Sequence, residues 1–205
     1  MAYLFLHGLG QTADSWGQTL SLMKLGEQIL SPELFSLTEG RVTDYDGLYR
    51  AVSDYCEGQS GKLHLCGLSL GAVLALHYAE EHPEKVASLA LIAPQYRGPK
   101  LLLRVQDVIF RFMPREMFAE MGVSKENFRR LNLSMQKLDL SDKLTAVTCP
   151  VLLLCGERDK ANRKAVWELE EKIPDARLRF VEGAGHEINA QAPKKLARLL
   201  MEFYR

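Results

Sequence analysis

Residues 67–71 read Gly-Leu-Ser-Leu-Gly, set between the apolar run Leu63-His64-Leu65-Cys66 and the helix-like stretch Ala72-Val73-Leu74-Ala75-Leu76. A strand that must turn into a helix within so few residues needs a sharp, strained bend, and residues without side chains let the backbone close that tightly. Such a bend lifts the hydroxyl of Ser69 clear of the sheet. It also starts the next helix beside that hydroxyl, so backbone N–H groups face whatever reacts there. Strand–turn–helix around a serine therefore predicts both a sheet-based fold and a nucleophile.

The rest of the chain fits that demand. Short apolar runs alternate with longer segments of helical period, the pattern of a parallel sheet covered on both faces. Strands are expected at Tyr3–Leu6, weakly at Leu34–Leu37, and then at Leu63–Cys66, Val86–Ala93, Val151–Cys155 and Leu178–Val181. Helices are expected over about Thr12–Leu25, from a capping box at Thr43-Asp44-Tyr45-Asp46, over 70–81, and at the end with Leu196, Leu199, Leu200 and Phe203 on one face after Pro193. At 205 residues the chain fits one domain, 1–205, able to bury about 70% of its unfolded surface.

Residues 95–145 interrupt the alternation. They offer no good strand but contain the amphipathic run Leu101–Met113, which reads as a helical lid inserted between two strands. An ordinary crossover helix with a long loop is the alternative. Asp107 beside two arginines argues against a membrane-surface helix, which would carry a basic stripe.

Composition narrows the function classes. Twenty-six basic residues balance twenty-six acidic ones, so no nucleic-acid partner is expected. The N-terminus reads as no signal peptide, and no apolar stretch nears the roughly 18 residues of a spanning helix, so no stable membrane insertion is expected. Cys56, Cys66, Cys149 and Cys155 show no metal-ligand spacing. They read as reduced core thiols of a cytoplasmic protein, with no metal site.

A serine hydroxyl needs a base to accept its proton, and histidine is the usual supplier. Of five histidines, His64, His77 and His82 fall within a strand or a helix, and His7 suits a loop-ordering hydrogen bond. His186 follows the last strand in Gly183-Ala184-Gly185-His186, at the sheet edge where parallel sheets meet ligands. Asp159 follows the preceding strand and is the candidate to orient that base, with Glu157 as its near rival, Glu182 as a more distant one, and helix capping as the bland role. Backbone N–H groups of Leu9 and Leu70 would hold an oxyanion.

His7-Gly8-Leu9-Gly10 with Trp16, Cys66–Gly71, His82-Pro83-Glu84-Lys85-Val86, Pro150–Asp159 and Gly183–His186 resemble successive signatures of the α/β-hydrolase superfamily over nearly the whole chain. The resemblance implies an α/β fold of about six parallel strands flanked by helices, starting on what is usually the family's third strand. It also implies a Ser69–His186–Asp159 triad, an oxyanion hole at Leu9 and Leu70, and no cofactor. The function expected is a serine hydrolase, of the carboxylesterase kind, cleaving a small-molecule ester with a small to medium or lipid-like acyl group. Acyl transfer, carbon–carbon hydrolysis or perhydrolysis at the same triad, and ligand binding without catalysis, are the competing readings.

Overall fold

A computed structural model of the chain describes residues 1–38 and 44–205. Its framework is one parallel sheet of six strands: β1 (Ala2–Leu6), β2 (Gln28–Leu30), β3 (Leu63–Leu68), β4 (Val86–Ile92), β5 (Val151–Gly156) and β6 (Ala176–Val181), in the order β2-β1-β3-β4-β5-β6. Around it lie α1 (Gly17–Ser21), α2 (Tyr45–Glu57), α3 (Leu70–Glu81), α4 (Lys100–Phe112), α5 (Arg115–Ala119), α6 (Lys125–Ser134), α7 (Arg163–Lys172), α8 (Ile188–Gln191) and α9 (Pro193–Phe203).

Strand pleating divides the core in two. On one face Leu4, Leu6, Leu65, Leu89 and Leu153 pack with α2, α3 and α7; on the other Phe5, Cys66, Leu68 and Leu154 pack with Trp16 and with Leu196 and Leu200 of α9. Because both faces are covered, the central strands are apolar at nearly every position rather than alternating. Chain reversal falls between β1 and β3, so their C-terminal ends open a crevice.

The chain departs from the sequence-based expectations in three places. Leu34–Leu37 is not a strand: the second strand is Gln28–Leu30, a short exposed edge. Leu34 and Phe35 are buried within a turn, with the Glu33 carbonyl accepting from Ser36 and Leu37 N–H before a 3₁₀ turn at Ser36–Thr38. The expected helix over Thr12–Leu25 is a 3₁₀ turn, Ala13–Trp16, followed by the short α1, whose end tightens as Leu22 N–H donates to Thr19 O and Met23 N–H to Leu20 O. Thr43 lies outside the described residues. The cap of α2 is Asp44, whose carboxylate accepts Gly47 N–H at 3.0 Å.

Between β4 and β5 the chain is helical, as expected, with α4, α5 and α6 held by the aromatic cluster Phe110, Phe118 and Phe128. Among the described residues its one sheet-like contact is an isolated bridge, Arg97 to Asp139.

Glu80 of α3 is 5% exposed, and its Oε1 has no partner among the described residues. Burial pushes its carboxyl from 4.5 up to about 8, against the opposing pull of Lys143. Between those values the folded chain keeps a proton that the unfolded chain has lost, so stability falls as pH rises through that window. Glu80→Gln removes this proton linkage. Its thermal denaturation midpoint should decline less than that of the wild type between pH 5 and 8, with the variant about 4 kcal/mol more stable at the upper end.

Candidate active site

The crevice is built from the C-terminal ends of β1, β3, β5 and β6. At its centre Ser69 stands between β3 and α3 with φ 52° and ψ −110°. Positive φ on a residue with a side chain is strained, and such strain persists only where surroundings over-determine it. Here Ser69 N–H donates to Ile92 O at 2.8 Å, tying the bend to the end of β4, while Ser69 O accepts Val73 N–H and so begins α3. The flanking glycines are sterically required. A Cβ on Gly67 would lie 2.2 Å from Gly71 O, and one on Gly71 would lie 2.1 Å from Leu6 O. Leu70 N–H, in the first turn of α3, is among the amides without an intrahelical partner.

Asp159 lies just beyond β5 and is nearly buried. His186, after β6, donates from Nδ1 to Asp159 Oδ2 at 2.8 Å. Burial works to raise the Asp159 carboxyl, but hydrogen bonds from His186 and Asn162 outweigh it and hold it below the ordinary carboxylate value. An ionised acceptor at this position keeps a proton on Nδ1, so that in the neutral imidazole the lone pair is on Nε2. Helix α7 begins at Arg163, so Asp159 does not cap it. Glu157, the rival acid, uses Oε2 to accept Gly183 N–H at 2.9 Å, which orders the histidine loop instead.

Both loops are bound to each other through their backbones. Glu157 N–H donates to Val181 O and Arg158 N–H to Ala184 O, at 3.0 and 2.8 Å. Gly156 has no room for a side chain, since a Cβ there would sit 2.0 Å from Gly185 O.

Two residues that sequence reasoning passed over complete the acid. The buried Asn162 donates Nδ2 to Asp159 Oδ2 at 2.7 Å, and Gln95 donates to Asn162 Oδ1 at 2.7 Å. The 3.1 Å approach of Asn162 Nδ2 to His186 Nδ1 places two donors on the same carboxylate oxygen. Polar residues without a motif gave no signal; the single hint was the place of Asn162 shortly after Asp159. On the other side Gln11 accepts Gly8 N–H and is bridged to the buried Asn189, which secures the loop that follows β1.

Ser69, Leu9, Leu70, Gln95, Asn162 and His186 all line one cavity of about 170 Å³, closed by apolar side chains from Val73, Pro99, Leu102, Leu103, Phe110 and Met135. The structure thus gathers Ser69, His186, Leu9 and Leu70 around a common space, with Asp159 behind His186. Among the described residues Leu9 N–H forms no hydrogen bond, and Ser69 Oγ does not close one with His186. Catalytic hydrogen bonds commonly tighten only with substrate in place.

The other histidines have local partners. His7 is buried, which lowers its pKa; its Nε2 accepts Leu34 N–H at 3.1 Å and its Nδ1 faces Gly8 O at 3.0 Å. His64 meets Ser88 Oγ at 2.8 Å, and His77 stacks on Tyr49. His82 lies 3.6 Å from Glu57. Among the described residues no group of three or more His, Cys, Asp and Glu side chains is placed to hold a metal ion.

The chain resembles known proteins at low identity. The chain is 24% identical over 248 residues to the 2-hydroxy-6-oxo-6-phenylhexa-2,4-dienoate hydrolase of Burkholderia cepacia, covering 98% of this chain and 87% of that protein. It is 22% identical over 252 residues to the monoacylglycerol lipase ABHD6 of Bos taurus, covering 98% and 74%. A solved esterase structure from Thermogutta terrifontis superposes with a TM-score of 0.73 at 21% identity, over 100% of this chain and 89% of that one. The match to the family's own sequence model runs from residue 3 to residue 199, from the first strand to the last helix, and on that extent this chain belongs to the alpha/beta hydrolase family.

Proposed function

We propose that this hydrolase cleaves a carboxylic ester with Ser69 as nucleophile, His186 as general base and acid, and Asp159 as the group that orients the histidine. The observation that carries the reading is convergence. Ser69, His186, Leu9 and Leu70 line one apolar cavity, and Asp159 is hydrogen-bonded to the far nitrogen of the imidazole.

Ser69 Oγ attacks the carbonyl carbon while His186 Nε2 takes its proton. Charge develops on the carbonyl oxygen, and N–H groups of Leu9 and Leu70 stabilise it, each donor worth about 3 kcal/mol of barrier. Collapse expels the alkoxide, which takes the proton from His186. Water then attacks the acyl-enzyme with His186 again as base, freeing the acid and Ser69.

A cavity of about 170 Å³ is comparable to the roughly 150 Å³ apolar hole that takes a benzene ring, which favours a small or medium acyl group. Residues 95–145 act as the lid, since α4 supplies Leu102, Leu103 and Phe110 to the cavity wall. Chain 1–205 works as one catalytic domain. All four cysteines are buried and unpaired, which favours a reducing compartment such as the cytoplasm. No described helix is long and apolar enough to cross a membrane.

A fluorophosphonate probe tests the reading. The folded protein should gain one adduct, and the modified peptide should carry it on Ser69. An intact chain that stays unlabelled, or labels elsewhere, would sink the assignment. The names of its relatives, a lipase, an esterase and a dienoate hydrolase, leave several bonds open to the same machinery, so product analysis on a graded series of p-nitrophenyl esters should accompany the labelling.

A further inference from the structure

Helix α4 has two apolar faces, and only one of them is used. Inward, Leu103 and Phe110 close the cavity, and Asn132 donates to Leu103 O at 2.8 Å, locking the helix onto α6. Outward, Leu101, Val105, Val108 and Phe112 form a stripe at spacings of four, three and four residues, widened by Leu102 and Ile109. All six are exposed, Leu101 by 78% and Phe112 by 85%. Scattered exposed leucines are ordinary, but a continuous stripe of this length on one helix marks an interaction surface.

Charge decides among occupants. Lys100, Arg104 and Arg111 share one edge of the helix, bordering the apolar stripe, and all three are exposed. The helix's one acid, Asp107, is buried. It receives two hydrogen bonds from Arg129, at 2.7 and 3.0 Å, and one from Arg111 at 3.2 Å. The carboxylate that argued against a basic stripe in the sequence is therefore turned inward and neutralised. What faces solvent is an apolar stripe with a cationic border and no exposed acid of its own. That is the layout of a helix lying in the headgroup region of an anionic bilayer, with long cationic side chains reaching up to the phosphates.

We infer that α4 docks this protein onto anionic lipid surfaces through Leu101, Val105, Val108, Ile109 and Phe112. Leu102 is both exposed and part of the cavity wall, so docking would set the membrane beside the mouth of the site. The inference concerns adsorption, not hydrolysis, and stands apart from the proposed reaction.

Flotation with vesicles of phosphatidylcholine, alone or mixed with phosphatidylglycerol, tests it. The wild type and Ser69→Ala should both float with the mixed vesicles, bind the neutral ones more weakly, and lose affinity as salt rises. Lys100→Gln with Arg104→Gln should weaken binding roughly 25-fold, about fivefold for each cation removed from an anionic surface. Leu101→Asp with Phe112→Asp should abolish it. Neither pair lines the cavity, so circular dichroism and turnover of a water-soluble ester should stay at wild-type values. No flotation of the wild type with mixed vesicles would overturn the inference. So would binding that survives Leu101→Asp with Phe112→Asp. A wild-type dimer that these aspartates split, with no vesicle binding, would assign the stripe to a second copy of the chain instead.

Discussion

Ser69→Ala is expected to lower kcat by about 10⁶ while leaving substrate affinity nearly unchanged, by analogy with removal of a serine nucleophile elsewhere. The reasoning is local. Among the described residues Ser69 holds the one hydroxyl lining the cavity, and no cysteine or lysine lines it. The four cysteines are buried, and burial pushes Cys56 and Cys155 up to about 12, so they remain protonated thiols at neutral pH. Alanine removes the hydroxyl but keeps the Cβ, so the strained bend and its hydrogen bond to Ile92 O should persist. Unchanged thermal stability together with lost turnover separates a chemical role from a structural one. Residual turnover within tenfold of the wild type would exclude Ser69 as nucleophile.

Asp159→Asn should cost about 10⁴ in kcat with the fold intact. The carboxylate oxygen Oδ2 accepts from His186 and from Asn162 at once. An amide placed there can offer an N–H to the imidazole, which moves the ring proton to Nε2 and removes the lone pair that the proposed mechanism assigns to accepting the Ser69 proton. It also sets a donor against the Asn162 amide unless that side chain turns, which would break its contact with Gln95. Stopped-flow or steady-state kinetics on a soluble ester would measure the loss. Fluorophosphonate labelling should slow by a similar factor, because the proposed mechanism requires the same proton to leave Ser69. A variant as active as the wild type would show that the histidine needs no carboxylate.

The residues that announce themselves in the sequence are those whose chemistry and backbone geometry coincide. Gly67 and Gly71 are there because a Cβ would strike the backbone, so the bend around Ser69 is written in residue type. Val86–Ile92 and Val151–Gly156 were legible because strands buried on both faces must be apolar throughout. The edge strand Gln28–Leu30 had no such mark, since solvent covers most of it. Leu34 and Phe35 looked like a strand because a buried turn and a buried strand select the same side chains. Asn162, Gln95 and Asn189 were invisible for a different reason. Their roles come from partners brought near by the fold, and a lone amide has no spacing to betray it. The surroundings of Asp107 were not legible either: only the structure reveals that it is buried and that Arg129, from another helix, pairs with it.

Backbone bonds from Glu157 to Val181 and from Arg158 to Ala184 weld the turn bearing the acid to the turn bearing the base. Those bonds, with the 2.8 Å contact of His186 to Asp159, couple carboxylate and imidazole, whereas the hydroxyl sits on a separate strand and helix. In the proposed mechanism the separation between hydroxyl and imidazole is then the one left to adjust. On that reading, a substrate in the crevice would govern proton transfer by setting that separation.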